Sequence, residues 1–442
     1  LAANHGDQGD LPTRPIDKLL KPIERFLHVE AASGIVLLGC TLIALGLANS
    51  PVSADYQAFW KTHVSIQVGS FVMDHGLYHW VNDGLMAIFF FVIGLEVKRE
   101  IVIGELRDAR RAALPIAGAI GGMIVPAGIY LSLQYGEPAQ DGWGIPMATD
   151  IAFVIGCMAV LGSRISHGFR VMILSLAIAD DIGAILVIAI GYTDAIDMTA
   201  LLLGLAGLVL VFFMARVGVR SYLAYSVVGI GIWLAFHESG VHATIAGVLL
   251  GLMTPTEAHV SQGRFRSALD RAKGWLDNED WFELEDRAGK AQHVQNLMRE
   301  TVSPVEYLER VLHPWVSFVI MPVFALANAG VAFELSDVTD PVAVAIMAGL
   351  VMGKPVGIVG ASALAVRFGW ASLPSGTGWR GMIGGGFLAG IGFTMALFIA
   401  GLALEGPSLD TAKVGILGAS FVAAVIGMLM LTLGGRAATG DK

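Results

Sequence analysis

The sequence predicts an all-α polytopic membrane protein with about twelve transmembrane helices, an inverted repeat and two interrupted, crossing helices. Three observations carry this prediction. The 442 residues are 55% hydrophobic and 15% charged, with a mean hydropathy of +0.68, whereas a soluble domain carries roughly 25% charged residues. Apolar stretches of roughly 17–25 residues recur along almost the whole chain, and each can cross a ~30 Å hydrocarbon core. Two octads, TDIAFVIG at Thr149–Gly156 and TMALFIAG at Thr394–Gly401, echo one another. The 55 glycines fit the same class, because small residues let membrane helices approach closely. Net charge −9 points to no nucleic-acid partner, since the acids cluster in loops. Cys40 and Cys157 both lie in apolar stretches, so no disulfide framework is expected.

The stretches fall at 33–49, 82–97, 112–133, 145–162, 170–192, 199–215, 221–236, 241–253, 315–333, 342–364, 383–403 and 413–434. Lys and Arg set their orientation. Basic residues precede the first stretch (Arg14, Lys18, Lys21, Arg25) and follow the second (Lys98, Arg99, Arg107, Arg110, Arg111). They return after the fourth (Arg164, Arg170), sixth (Arg216, Arg220), tenth (Arg367, Arg380) and twelfth (Arg436, Lys442). The intervening loops carry acids instead: Glu137, Asp141, Asp194, Asp197, Glu334, Asp337 and Asp340. This alternation places both termini in the cytoplasm, which requires an even number of spans.

Three segments lie outside the spans. Residues 13–29 set Leu19, Leu20, Ile23, Phe26 and Leu27 against a basic side. They read as an amphipathic helix on the inner membrane surface or as a simple start to the first span. In the outer loop 50–81, His63–Met73 alternates around Gly69-Ser70, which predicts a hairpin. The insertion 256–312 is long, polar and mixed in charge, and reads as a solvated helical pair on the cytoplasmic side.

The octads sit in glycine-punctuated segments, Gly142–Gly162 and Gly384–Gly401. The first starts outside and the second inside. Related segments of opposite topology mark an inverted repeat, and interrupted helices at matching positions point to a midplane ion site. Facing half-helix N-termini concentrate positive partial charge, and facing C-termini concentrate negative charge. Asp150 follows Thr149 directly and is placed to neutralise the N-termini, or else caps a helix near the outer surface. Lys354 lies within an apolar stretch and either neutralises the C-termini or snorkels to an interface.

Asp180 and Asp181 stand side by side within the apolar run Phe169–Tyr192. A carboxylate near a bilayer centre costs at least ~2.5–3.5 kcal/mol on insertion scales, so such a pair has a function. Neighbouring like charges resist ionising together. The occupant of such a site is a proton or a small cation, and the pair points to a carrier that exchanges them.

Several segments resemble the signatures of NhaA-type sodium/proton antiporters: GLEVKRE at 94–100, ATDIAF at 148–153, LAIADDIGAI at 176–185 and GVHATIAGV at 240–248. VLHPWV at 311–316, MGKPVGI at 352–358 and GIGFTMALFI at 390–399 follow in order, although 256–312 is longer than is usual in the family. The resemblance implies that Asp180 and Asp181 bind Na+ or Li+ and release protons as the cation arrives. It makes Asp181 the central ligand and Asp180 the partner of Lys354. Thr149 and Asp150 match the unwound crossing of the first broken helix, with Thr394 in the corresponding place of the second. It also implies a pH-responsive cytoplasmic mouth of Glu96, Arg99, Glu100, Glu309 and His313, for which ordinary anchoring charges are the alternative. His242 is either a further sensor or a hydrogen-bonded structural histidine.

The expected organisation is a cytoplasmic N-terminus (1–32), an interface domain (33–111 and 193–341), a core domain (112–192 and 342–435) and a cytoplasmic tail (436–442). Exchange of Na+ or Li+ for H+ across a bacterial inner membrane is expected to be electrogenic and pH-dependent. Neither enzyme activity nor a cofactor is expected, and the hairpin together with the resemblance suggests a homodimer. Alternatives fit less well. An intramembrane aspartyl protease needs aspartates on separate helices, whereas Asp180 and Asp181 point about 100° apart on one. A leak channel, or a sodium-coupled carrier of organic anions, lacks the dense match of motifs.

Overall fold

A computed structural model describes residues 30–434, apart from 69–70, 194–195, 335, 375 and most of 259–300. The segment 13–29 and nearly all of the polar insertion lie outside the described residues. Chain order is α1 (Glu30–Ala48), α2 (Ser53–Lys61), β1 (His63–Val68), β2 (Phe71–Gly76), α3 (77–102), α4 (Ala109–Gln134), α5 (Gln140–Leu161) and α6 (His167–Gly191). There follow α7 (Met198–Val217), α8 (Tyr222–Glu238), α9 (Thr244–Met253), α10 (Pro304–Asn328) and α11 (Pro341–Arg367). The broken α12 (Trp379–Ala389 and Phe393–Ala403) and α13 (Gly406–Gly434) complete the chain.

Every apolar stretch read from the sequence coincides with one of these helices. Among the described residues seven helices are long and apolar enough to cross a membrane, and α1 with α2 and the halves of α12 pass the same test as bent pairs. The short α9 has 10 residues and covers only about 15 Å. The stretch expected at 315–333 differs most. Its helix starts at Pro304, because the turns 304–315 are amphipathic and too polar to register as an apolar run. Ser303 stops that helix with a capping box to Glu306.

Contacts between helix ends define the two ends of the bundle. At one end lies the hairpin, antiparallel in register His63↔Gly76 to Val68↔Phe71. The end of α10 reaches the same end, where Asn328 Nδ2 donates to Asn82 Oδ1 at 3.0 Å. At the other end, Arg99 of α3 pairs with Glu309 of α10.

The site is built where α4, α5, α6, α11 and α12 pack together. The backbones of α4 and α11 touch: a Cβ on Gly357 would lie 2.0 Å from the Gly121 carbonyl oxygen, and one on Gly121 would lie 2.1 Å from that of Gly357. Only glycine at both positions permits this approach, the membrane counterpart of a small-residue seam. Around this seam a continuous apolar core includes Leu176, Leu350, Ile358, Leu388 and Ile391. A π-turn at Ala348–Gly353 interrupts α11. It lies beside Pro355, whose missing N–H breaks the regular ladder at that level.

Gly357→Ala should force α4 and α11 apart and cost about 1–3 kcal/mol, the usual range for overpacking. A lowered melting temperature in detergent is the expected outcome. Unchanged melting would show that the seam is looser than its geometry implies.

Candidate cation and proton site

Both broken helices open at the same level. In α5 a 3₁₀ turn (Gln140–Met147) gives way to extended backbone, and the α-helix resumes at Ile151. In α12 the break lies at 390–392, between Ala389 and Phe393, with a bend of 46°. The two open segments bind each other: the Asp150 N–H donates to the Ile391 carbonyl at 2.7 Å, and the Thr149 hydroxyl lies 2.7 Å from the Ala389 carbonyl.

Asp150 closes the two helices that leave this crossing. Its Oδ1 accepts from the Phe153 N–H at 3.1 Å, capping the second half of α5. Its Oδ2 accepts from the Thr394 N–H at 3.0 Å and from the Thr394 hydroxyl, capping the second half of α12. Each helix N-terminus carries about +0.5 of an elementary charge, so one carboxylate balances two ends. Asp150 is 1% exposed and thus lies deep in the fold, far from the surface cap that was its alternative. The echoing octads enter their helices in different registers. Thr149 precedes its helix by two residues, while Thr394 is already the second residue of its own.

The aspartate pair lies beside the crossing, on α6. Asp180 Oδ2 is ion-paired with Lys354 Nζ, and both side chains are buried. The Thr149 hydroxyl lies 2.7 Å from the same Oδ2, while Asp180 Oδ1 is buried with no hydrogen-bond partner among the described residues. The described bond of Lys354 is thus to Asp180 rather than to a half-helix C-terminus. Asp181 is 3% exposed and makes no hydrogen bond or ion pair with the described residues. Glu96 of α3 lies close enough for its charge to act on Asp181. The crossing therefore offers a neutralised aspartate, an unpartnered aspartate and opened backbone carbonyls within one buried region.

Comparison with known proteins identifies the family. The family described as Na+/H+ antiporter 1 matches residues 24–431. The chain belongs to the NhaA-type sodium/proton antiporter family. It is 56% identical over 421 residues to the Na(+)/H(+) antiporter NhaA of Rhodopirellula baltica, covering 95% of this chain and 96% of that relative. It is 51% identical over 426 residues to NhaA 2 of Acidiphilium cryptum, covering 96% of this chain and 94% of the relative. With NhaA of Rhizobium meliloti the identity is 50% over 429 residues, covering 96% and 97%.

The remaining expected residues of the antiporter fall into two groups away from the crossing. At the basic end, Arg99 is ion-paired with Glu309, and His313 Nδ1 lies 3.7 Å from Glu96 Oε1. Glu100 Oε1 there accepts from Ser175 Oγ at 2.9 Å and the Glu105 N–H at 3.0 Å. At the hairpin end, His242 Nδ1 meets Thr244 Oγ1 at 2.8 Å, and its Nε2 lies 3.8 Å from Asp83 Oδ1. Sequence reasoning missed Asp83 and its neighbours His79 and His237. An acid within the apolar run 81–93 was the available signal, obscured by the turn-like Asn82-Asp83-Gly84.

Removing Lys354 from its buried ion pair typically costs ~3–5 kcal/mol, and removing the Asp150 cap about 0.5–2 kcal/mol for each helix it caps. Lys354→Ala and Asp150→Ala should each therefore lower the melting temperature of the purified antiporter by several degrees. Wild-type melting in both variants would show that neither charge is structurally buried.

Proposed function

We propose that this sodium/proton antiporter exports Na+ or Li+ by letting the cation and protons compete for Asp180 and Asp181. The observation that carries this reading is the unpartnered, buried Asp181 beside the lysine-neutralised Asp180 at the crossing of two broken helices. A carboxylate is a hard oxygen ligand suited to an alkali cation. Backbone carbonyls freed by the breaks can supply further oxygens. Either a proton or a cation neutralises the carboxylate, so the loaded site can turn between the two faces at low electrostatic cost. An ionised, empty site carries a penalty in low dielectric and resists the same movement. Obligatory exchange follows from that asymmetry alone.

Asp180, Asp181 and Lys354 together give enough titratable sites for more than one proton per cation, which makes the exchange electrogenic.

The arrangement of spans supports a core of α4–α6 and α11–α13 rocking against the remaining helices. By the positive-inside rule the end bearing Arg99, Arg107 and Arg110 faces the cytoplasm, with both termini on that side of a bacterial inner membrane. The hairpin edge serves as the contact of a homodimer. Glu96 links the cytoplasmic mouth to Asp181 electrostatically, so Glu96, Arg99, Glu100, Glu309 and His313 modify a pH response set mainly by the aspartates. His242 belongs to the opposite end.

In vesicles with an acid interior, Na+ or Li+ should collapse the proton gradient while choline does not, and Asp181→Asn should abolish the response with the protein still folded. Equal responses to every salt would indicate a proton leak. The pH dependence has a fixed sign. Protons occupy the pair at low pH, so apparent Na+ affinity rises with pH, about tenfold per unit for each proton displaced, and levels off once the pair is deprotonated. An affinity constant between pH 6 and pH 9 would contradict competition.

A further inference from the structure

Far from the crossing, the hairpin end brings together three histidines from three elements. His75 comes from β2, His79 from the first turn of α3 and His237 from the last turn of α8. One ring nitrogen from each lies within 4.8 Å of the others. The rings of His75 and His79 stack at 4.3 Å, and that of His237 stands edge-on to both at 5.3 and 5.4 Å. Asp83, on a π-turn of α3, places Oδ2 2.7 Å from His79 Nε2 and 3.9 Å from His237 Nδ1. The closer contact is an ion-pair distance without hydrogen-bond alignment, and His79 Nε2 has no other partner among the described residues.

We propose that this cluster is a binding site for a divalent zinc ion, with His75, His79 and His237 as ligands and Asp83 as the neighbouring carboxylate. Donors around a tetrahedral ion with bonds of ~2.0–2.1 Å stand ~3.3 Å apart. Closing from 4.8 Å requires the stacked His75 and His79 rings to turn until their nitrogens converge on one point. Asp83 Oδ2 lies on the His79 and His237 side of the cluster, at 2.7 and 3.9 Å, and can supply the fourth donor once the histidines close on an ion. Imidazole with one carboxylate is a donor set that favours zinc over the hard alkali cations transported at the crossing.

The surroundings favour a built site over a chance stack. Trp233 stacks on the His237 ring at 5.8 Å, with 16° between the planes, and fixes its plane. Its own Nε1 donates to the Asp83 carbonyl at 3.2 Å, tying α8 to the π-turn that carries the carboxylate. The side chains of His237 and Asp83 are 15% and 14% exposed and that of His79 is 44% exposed, so an ion enters from the hairpin end without crossing the bundle. A bound ion ties the hairpin, α3 and α8 together.

The test uses the full chain, purified without a histidine tag and stripped with EDTA. Zinc chloride is titrated against a chromophoric chelator. One zinc per chain is expected, with affinity at least tenfold weaker in His79→Ala and in His237→Ala but unchanged in His63→Ala, an exposed histidine of the same hairpin. Melting in EDTA reports whether each variant folds. Should a variant fail, cobalt(II) bound to the wild type decides: intense visible bands of a tetrahedral site support the proposal, and weak octahedral bands overturn it. Absence of saturable zinc binding, or equal affinity in all the variants, also overturns it.

Discussion

Opened backbone inside a membrane must find its hydrogen-bond partners within the protein, and here two open segments find them largely in each other. The rest of the site follows from that constraint. Asp150 donates its N–H to one strand of the crossing and spends both carboxylate oxygens on the two half-helices that leave it. Thr149 spans the gap from the Ala389 carbonyl to Asp180, and Lys354 reaches the same carboxylate from α11. The crossing, its charge balance and Asp180 therefore form one connected network. A change in any member is transmitted to the others through contacts of hydrogen-bond length.

That network accounts for the difference between two adjacent aspartates. On one helix, about 100° apart, Asp180 faces the crossing and is committed to Lys354 and Thr149. Asp181 faces away from those partners and makes no bond to the described residues. Identical side chains thus meet two different environments by orientation. The close α4–α11 seam at Gly121 and Gly357 holds Lys354 at the right depth, since any larger residue would move α11 outward.

Much of this arrangement was legible in the sequence, because expensive residues in apolar runs are conspicuous. Asp150, Asp180, Asp181 and Lys354 stood out for that reason, and the helix breaks were signalled by threonine and glycine in apolar context. Backbone groups were not legible. No side chain advertises that the Ala389 and Ile391 carbonyls face the crossing. The octads suggested equivalent positions for Thr149 and Thr394, yet the short break at 390–392 sets the second helix three residues out of register with the first. The π-turns in α3 and α11 are equally silent in sequence, and they carry Asp83 and lead into Lys354. The polar start of α10 escaped notice because an amphipathic surface turn and a loop have similar composition.

Competition between cation and proton for one buried carboxylate site is the central claim. It is tested most directly by counting protons released as Na+ binds to the purified protein. Isothermal titration in buffers of differing ionisation enthalpy gives that number without transport. Competition predicts release of at least one proton per Na+ near the pH at which the pair titrates, falling towards zero at alkaline pH. Tight Na+ binding that releases no protons at any pH would contradict it.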